Sequence, residues 1–194
     1  MKKRWILILL CLAVLNGCTE TPADERVLPS ESTEAAEAVT EITDAEITAL
    51  IDTYLLYERY TVYASDSMEM EPNYVEIDGR FFNKVTDPAY DTWEKWTAFV
   101  ESVFCGDNLT SEMDRIVSEQ RFTEVNGLTY CQAGSMGWYI SSEYTYRITE
   151  STADRVVIEM TRRELNPGGE DLEHINIFAL HLTENSWRIG EWLQ

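Results

Sequence analysis

Residues 139–192 read YISSEYTYRITESTADRVVIEMTRRELNPGGEDLEHINIFALHLTENSWRIGEW, and this stretch decides the fold. It divides into four runs, 139–149, 155–163, 174–183 and 186–192, each rich in Val, Ile, Thr, Tyr, Phe or Trp. The separators ESTAD, ELNPGGEDLE and EN are turn-forming and short, so the runs predict an antiparallel strand meander. Just upstream, RFTEVNGLTYCQ (121–132) and YVEIDGRFFNKV (74–85) each hold a two-residue turn between β-rich flanks. Asn126-Gly127 and Asp78-Gly79 suit such turns because both positions need positive φ, so each segment predicts a hairpin.

Helical periodicity comes before and between the hairpins. Thr43 and Glu46 make a capping box, and Ile47, Leu50, Ile51, Tyr54, Leu55 and Val62 recur at helical spacing to about Ala64. Asp91 with Glu94 predicts the start of a second helix carrying Trp93, Trp96, Val100, Val103 and Phe104, with Gly106 as its stop. A third, shorter helix is expected from Ser111 to Ser118. This order predicts an α+β fold: a long N-terminal helix, a hairpin, two further helices, and a curved antiparallel sheet with the helices on one face.

Before the first helix the composition changes twice. Lys2, Lys3 and Arg4 precede an apolar run, 5–15, that is too short to span a bilayer, where ~20 residues are needed. A signal peptide over 1–17 is the expectation. Leu15-Asn16-Gly17-Cys18 resembles the bacterial lipoprotein lipobox, which implies cleavage before Cys18 and acylation of its thiol. Residues 18–43 follow as an acidic tether with seven acids, one Arg and two prolines, a disordered composition. Residues 44–194 form the single folded domain in this reading, placed on the extracytoplasmic face of a bacterial membrane through the lipid anchor.

The whole chain has 194 residues, 35 acids, 15 Lys and Arg, and a net charge of −20. Phosphates would repel it, which excludes nucleic-acid binding. Residues 44–194 carry 28 acids and 11 bases, a charge of −17, so a basic partner is expected. The loop acids Glu69, Glu71, Glu170, Asp171 and Glu173 are the candidate partner-binding residues.

Evidence for catalysis is thin. His174 and His181 sit an odd number of positions apart on one predicted strand, so alternation sends them to opposite faces. The sequence has no nucleophile elbow, zinc-protease helix or phosphate loop, and no cofactor is expected. Cys105 and Cys131 are either a disulfide or two buried thiols, and no Cys-x-x-Cys marks a redox pair. Trp93, Trp96, Trp138, Tyr144 and Tyr146 either fill the core or line a small-molecule cavity between helices and sheet.

The helix, hairpin, two helices and meander resemble the cystatin-like α+β roll of nuclear-transport-factor-like proteins. More narrowly, YVEIDGRFFNKVTDPAYDTWEKWTAFVESVF, TEVNGLTYCQAGSMGW and LTENSWRIGEW resemble the IseA family of Firmicutes, exported inhibitors of cell-wall DL-endopeptidases. The resemblance implies a non-catalytic protein whose acidic loop plugs the basic groove of a peptidase. Gln132–Gly137, between the second hairpin and the next strand, has no acid, and the nearest acidic loop is 166–171.

Overall fold

A computed structural model describes residues 41–63, 68–119, 121–132, 139–165, 170–184 and 186–193. Its elements run α1 (Asp44–Glu58), β1 (Met70–Ile77), β2 (Arg80–Val85), α2 (Trp93–Val103), α3 (Gly106–Ser118), β3 (Phe122–Val125), β4 (Leu128–Gln132), β5 (Tyr139–Ser151), β6 (Arg155–Leu165), β7 (Leu172–Thr183) and β8 (Ser186–Trp192). The class is α+β, with a long N-terminal helix that continues as one π-helical turn, Arg59–Tyr63.

Local chemistry sets the start of α1 and both hairpin turns. Thr43 Oγ1 accepts the Glu46 N–H at 3.3 Å, and Glu46 Oε2 accepts the Thr43 N–H at 2.8 Å. Such a reciprocal cap satisfies two amides that the helix itself leaves unpaired. Asp78, Gly79, Asn126 and Gly127 all take positive φ, as their turns demand.

Tertiary contacts move three other boundaries. The cap of α2 is Thr92, whose Oγ1 accepts the Lys95 N–H at 3.3 Å, and not Asp91. Asp91 is committed elsewhere: its carboxylate takes Lys95 Nζ at 2.6 Å and its carbonyl the Thr129 N–H at 3.1 Å. Gly106 does not close α2 but opens α3, at φ +59°, so α3 starts well before Ser111. The helix ends earlier because Phe104 turns extended and bridges Ile189 of β8.

The meander forms one antiparallel sheet in the order β5-β6-β7-β8. Both hairpins stay outside it and build a second sheet, β1-β2-β4-β3. Register shifts in β5 and between β7 and β8 bend the meander sheet, since a bulge increases local twist.

The core forms where α1, α2 and α3 pack with the strands. Ile47, Ile51, Tyr54 and Tyr57 of α1 pack with Trp96, Val100 and Val103 of α2, Ile116 of α3, and Ile158, Met160, Phe178, Leu180 and Ile189 of the meander. Trp96 stacks on Phe122 with centroids 4.0 Å apart, and Tyr57 meets Phe104 edge-on at 4.9 Å. Burying side chains of this size contributes roughly 1.5–3 kcal/mol each.

Candidate functional site: an acidic corner of the meander sheet

Three strands meet at the loop end of this sheet. Register places Tyr144, Arg162 and His174 in one row across β5, β6 and β7, and Thr145, Thr161 and Ile175 in the next. Arg163 lies opposite Glu173, and Glu164 opposite Leu172. A groove of about 400 Å³ runs here, lined by Glu143, Tyr144 and Thr145 on one side and by Asp171, Leu172 and Glu173 on the other.

The row at the groove floor is anchored to α1. Arg162 has a side chain only 1% exposed and forms a two-pronged ion pair with Glu58, one prong at 3.0 Å. Its Nη2 also donates to Asn176 Oδ1 at 3.0 Å, and the Tyr54 hydroxyl donates to Glu58 Oε1 at 3.1 Å. A buried charge holds only when paired and hydrogen-bonded, which these contacts supply. Alternation is the sequence signal for this arrangement: Val156, Ile158, Met160 and Arg162 share one face of the strand. Composition alone gave no sign of it.

Of the five candidate acids, three gather at this corner. Glu170, Asp171 and Glu173 are exposed, and Asp171 reaches Arg163 only at 3.8 Å. Beside them Leu172 and Ile175 are 56% and 47% exposed; alternation sends the two to opposite faces of β7, and Leu172 is the one that lines the groove. Glu71 belongs to β1 of the other sheet, and Glu69 lies just before that strand. Glu71 is bonded to Lys84 at 3.1 Å, and the Glu69 carbonyl accepts the N–H groups of Thr86 and Asp87. Neither lines the groove.

The expected aromatic cavity is not assembled from its described members. Trp96 is fully buried against Phe122 in the core. Trp93 lies in a separate cleft of about 400 Å³ with Phe82, Val117 and Asp78. Tyr144 and Tyr146 are spent on α1, donating to Asp52 at 3.0 Å and to Asp44 at 3.1 Å. Trp138 and Cys18 fall outside the described residues. The packing of Trp96 and the outward ties of the tyrosines explain the difference: each ring already has a partner.

Cys105 and Cys131 are free and buried, so of the two readings the buried thiols hold. Burial pushes the Cys131 thiol up to about 12 and raises Cys105 as well, which keeps both protonated near neutral pH. Among the described residues no three His, Cys, Asp or Glu side chains gather as a metal site. None of the described helices is long and apolar enough to cross a membrane. No protein-family model matches the chain, and no curated protein matches it either.

Proposed function

We propose that this chain is a non-catalytic envelope lipoprotein, anchored through Cys18, that binds a basic protein partner at the β5–β7 corner. The observation that carries this reading is the exposure of Asp171, Leu172 and Glu173 together in the lining of one groove, with exposed Glu170 next to them in the chain. An exposed leucine flanked by carboxylates suits the mixed apolar and polar makeup of protein interfaces. The rest of the domain reinforces it: among the described residues seven of eleven Lys and Arg side chains, Lys84, Lys95, Arg115, Arg147, Arg155, Arg162 and Arg163, are already engaged by carboxylates. The remaining excess of acids steers a positively charged surface inward.

By its resemblance to the IseA family, the partner class is a cell-wall DL-endopeptidase, whose groove the corner would occlude. The reading is tested with the chain lacking residues 1–17 and carrying Cys18→Ser, added to a peptidoglycan digestion by such an enzyme. The digestion rate is expected to fall at low salt and to recover at high salt, where exposed charges are screened. Asp171→Lys with Glu173→Lys is expected to weaken inhibition by about tenfold or more, because like charges then face the partner. Digestion that is indifferent to saturating protein at low salt rejects the peptidase as partner. Fractionation checks the anchor: Cys18→Ser in the full chain moves the protein from the membrane fraction to the soluble one.

A further inference from the structure

The outer edge of β5, where Glu143, Tyr144 and Thr145 also border the groove, has a backbone that the proposed function does not use. The strand spans Tyr139–Ser151, so its midpoint is Thr145, and among the described residues no strand pairs with its outer side. Around that midpoint the order is Glu143-Tyr144-Thr145-Tyr146-Arg147. Inverted about Thr145, tyrosine falls on tyrosine and acid falls on base.

We propose that β5 pairs with β5 of a second copy of this chain, antiparallel and centred on Thr145, joining two meander sheets into one. A two-fold axis perpendicular to the sheet preserves its faces, so outward residues meet outward residues. Glu143 then stands opposite Arg147 of the second copy, twice by symmetry. Thr145 stands opposite itself, and Tyr144 opposite Tyr146 on the face that carries α1.

Both charged groups are available for this. Glu143 is exposed, and Arg147 keeps its side chain 71% exposed even while bonded to Glu159 at 2.7 and 2.9 Å. Arg147 would bridge Glu159 of its own sheet and Glu143 of the other, a cation between two carboxylates. On the opposite face the Tyr144 and Tyr146 hydroxyls already hold Asp52 and Asp44 of α1, so those carboxylates are hydrogen-bonded where the copies approach.

Charge selects this register over its neighbours. A centre at Tyr146 sets Arg147 against Thr145 and Glu143 against Thr149, and a centre at Arg147 or Glu143 opposes like charges. Backbone geometry limits the contact as well. Register is regular from Tyr144 to Ile148 and shifts on either side, and the Glu143 N–H is taken by Ser141 Oγ at 3.0 Å. Bulges of this kind twist an edge away from extended pairing, so the contact closes as a dimer and does not propagate.

The test uses the chain lacking residues 1–17 with Cys18→Ser, followed by sedimentation and by cross-linking. A dimer with Kd below about 0.1 mM is expected at physiological salt. Thr145→Cys places its thiol opposite its own copy, and directly opposed Cα atoms lie ~4.5–5.5 Å apart, inside the span a disulfide bridges, so oxidation yields a disulfide-linked dimer. Thr161→Cys, one strand further in, stays monomeric under the same oxidation. Glu143→Arg weakens the dimer about tenfold or more, and adding Arg147→Glu restores it, which a mere folding defect would not do. A monomer at 0.1 mM with no Thr145→Cys cross-link, or a cross-link equally strong at Thr161→Cys, overturns the proposal. Asp171→Lys with Glu173→Lys leaves the dimer intact, and Arg147→Glu alone, at a residue outside the groove, weakens the dimer and leaves peptidase inhibition intact, so either reading can fail alone.

Discussion

The two edges of the meander sheet are finished in opposite ways. At β8 the chain covers its own edge. Phe104 forms a parallel bridge to Ile189, and the Ile189 carbonyl accepts the Cys105 N–H at 3.1 Å and Asn108 Nδ2 at 3.4 Å. At β5 the backbone is bulged, and among the described residues the Tyr144 and Tyr146 hydroxyls reach across to α1. The β8 cover blunts an edge that would otherwise template pairing with other chains, whereas the bulges of β5 only shorten the regular stretch, Tyr144 to Ile148, that stays open to it. Their energetics differ. Cover at β8 is built from buried apolar side chains, so it is part of the stability of the fold. The contacts at β5 are polar and peripheral, so they can be altered with little effect on folding.

The largest break in this comparison should come from Phe104→Ala. The ring is fully buried and packs edge-on against both Tyr57 and Tyr54. Truncating a core phenylalanine costs about 3–5 kcal/mol, from lost burial and the cavity left behind. Urea unfolding followed by tryptophan fluorescence measures it. A loss under about 1 kcal/mol would mean that the β8 edge is not held by core packing.

A smaller effect is expected one residue past the bridge. A Cβ at Gly190 would fall 2.7 Å from His181 Cγ and 2.8 Å from Cδ2, so the glycine makes room for the imidazole. Gly190→Ala therefore overpacks the β7–β8 seam and costs about 1–3 kcal/mol. Adding His181→Ala to that variant should recover most of the loss. Two equal and additive penalties would instead place the strain elsewhere.

How much of this was legible in the sequence depends on how local the cause is. The Thr43–Glu46 cap and the Asp78-Gly79 and Asn126-Gly127 turns are decided within four residues, and the structure has them where the residues say. The end of α2 is decided by Ile189, far along the chain, so the sequence pattern misplaced Gly106 as a stop. Thr92 replaced Asp91 as the cap because Thr129 and Lys95 claim the aspartate. The division of strands between two sheets is likewise a matter of pairing partners, which alternation within one strand does not specify. At the candidate site, the acids Glu170, Asp171 and Glu173 were readable from composition. Which acids keep a cation, as Glu71 keeps Lys84, was not readable, because the cation arrives on a neighbouring strand. Arg162 was half legible: its place on the apolar face follows from alternation, but its partner Glu58 lies on α1.

The smallest effect, and the one that sharpens the contrast most, belongs to Tyr144 at the β5 edge. Burial first, and then the hydrogen bond to the Asp52 carboxylate, push its phenol up to about 12, against about 10 in an unfolded chain. Below pH 10 the phenol is protonated in both states, and its contribution is whole. Between pH 10 and 12 the unfolded chain loses the proton first, so stability falls, and above 12 the loss levels off. The side chain is partly solvated, so its share of the slope stays well under the limiting ~1.4 kcal/mol per pH unit. Tyr144→Phe should cost about 0.5–1.5 kcal/mol at pH 7, the usual net worth of one such bond. It should also make the alkaline decline shallower from pH 10 upward. Cys131, whose thiol burial lifts from 9.0 to about 12, starts that decline earlier in both proteins, so subtracting the two curves isolates the phenol. Asn108→Ala at the β8 edge removes a hydrogen bond that carries no titratable proton, and its penalty should therefore be the same at every pH. Parallel curves for Tyr144→Phe as well would show that the tyrosine holds the β5 edge by packing and not through its hydroxyl.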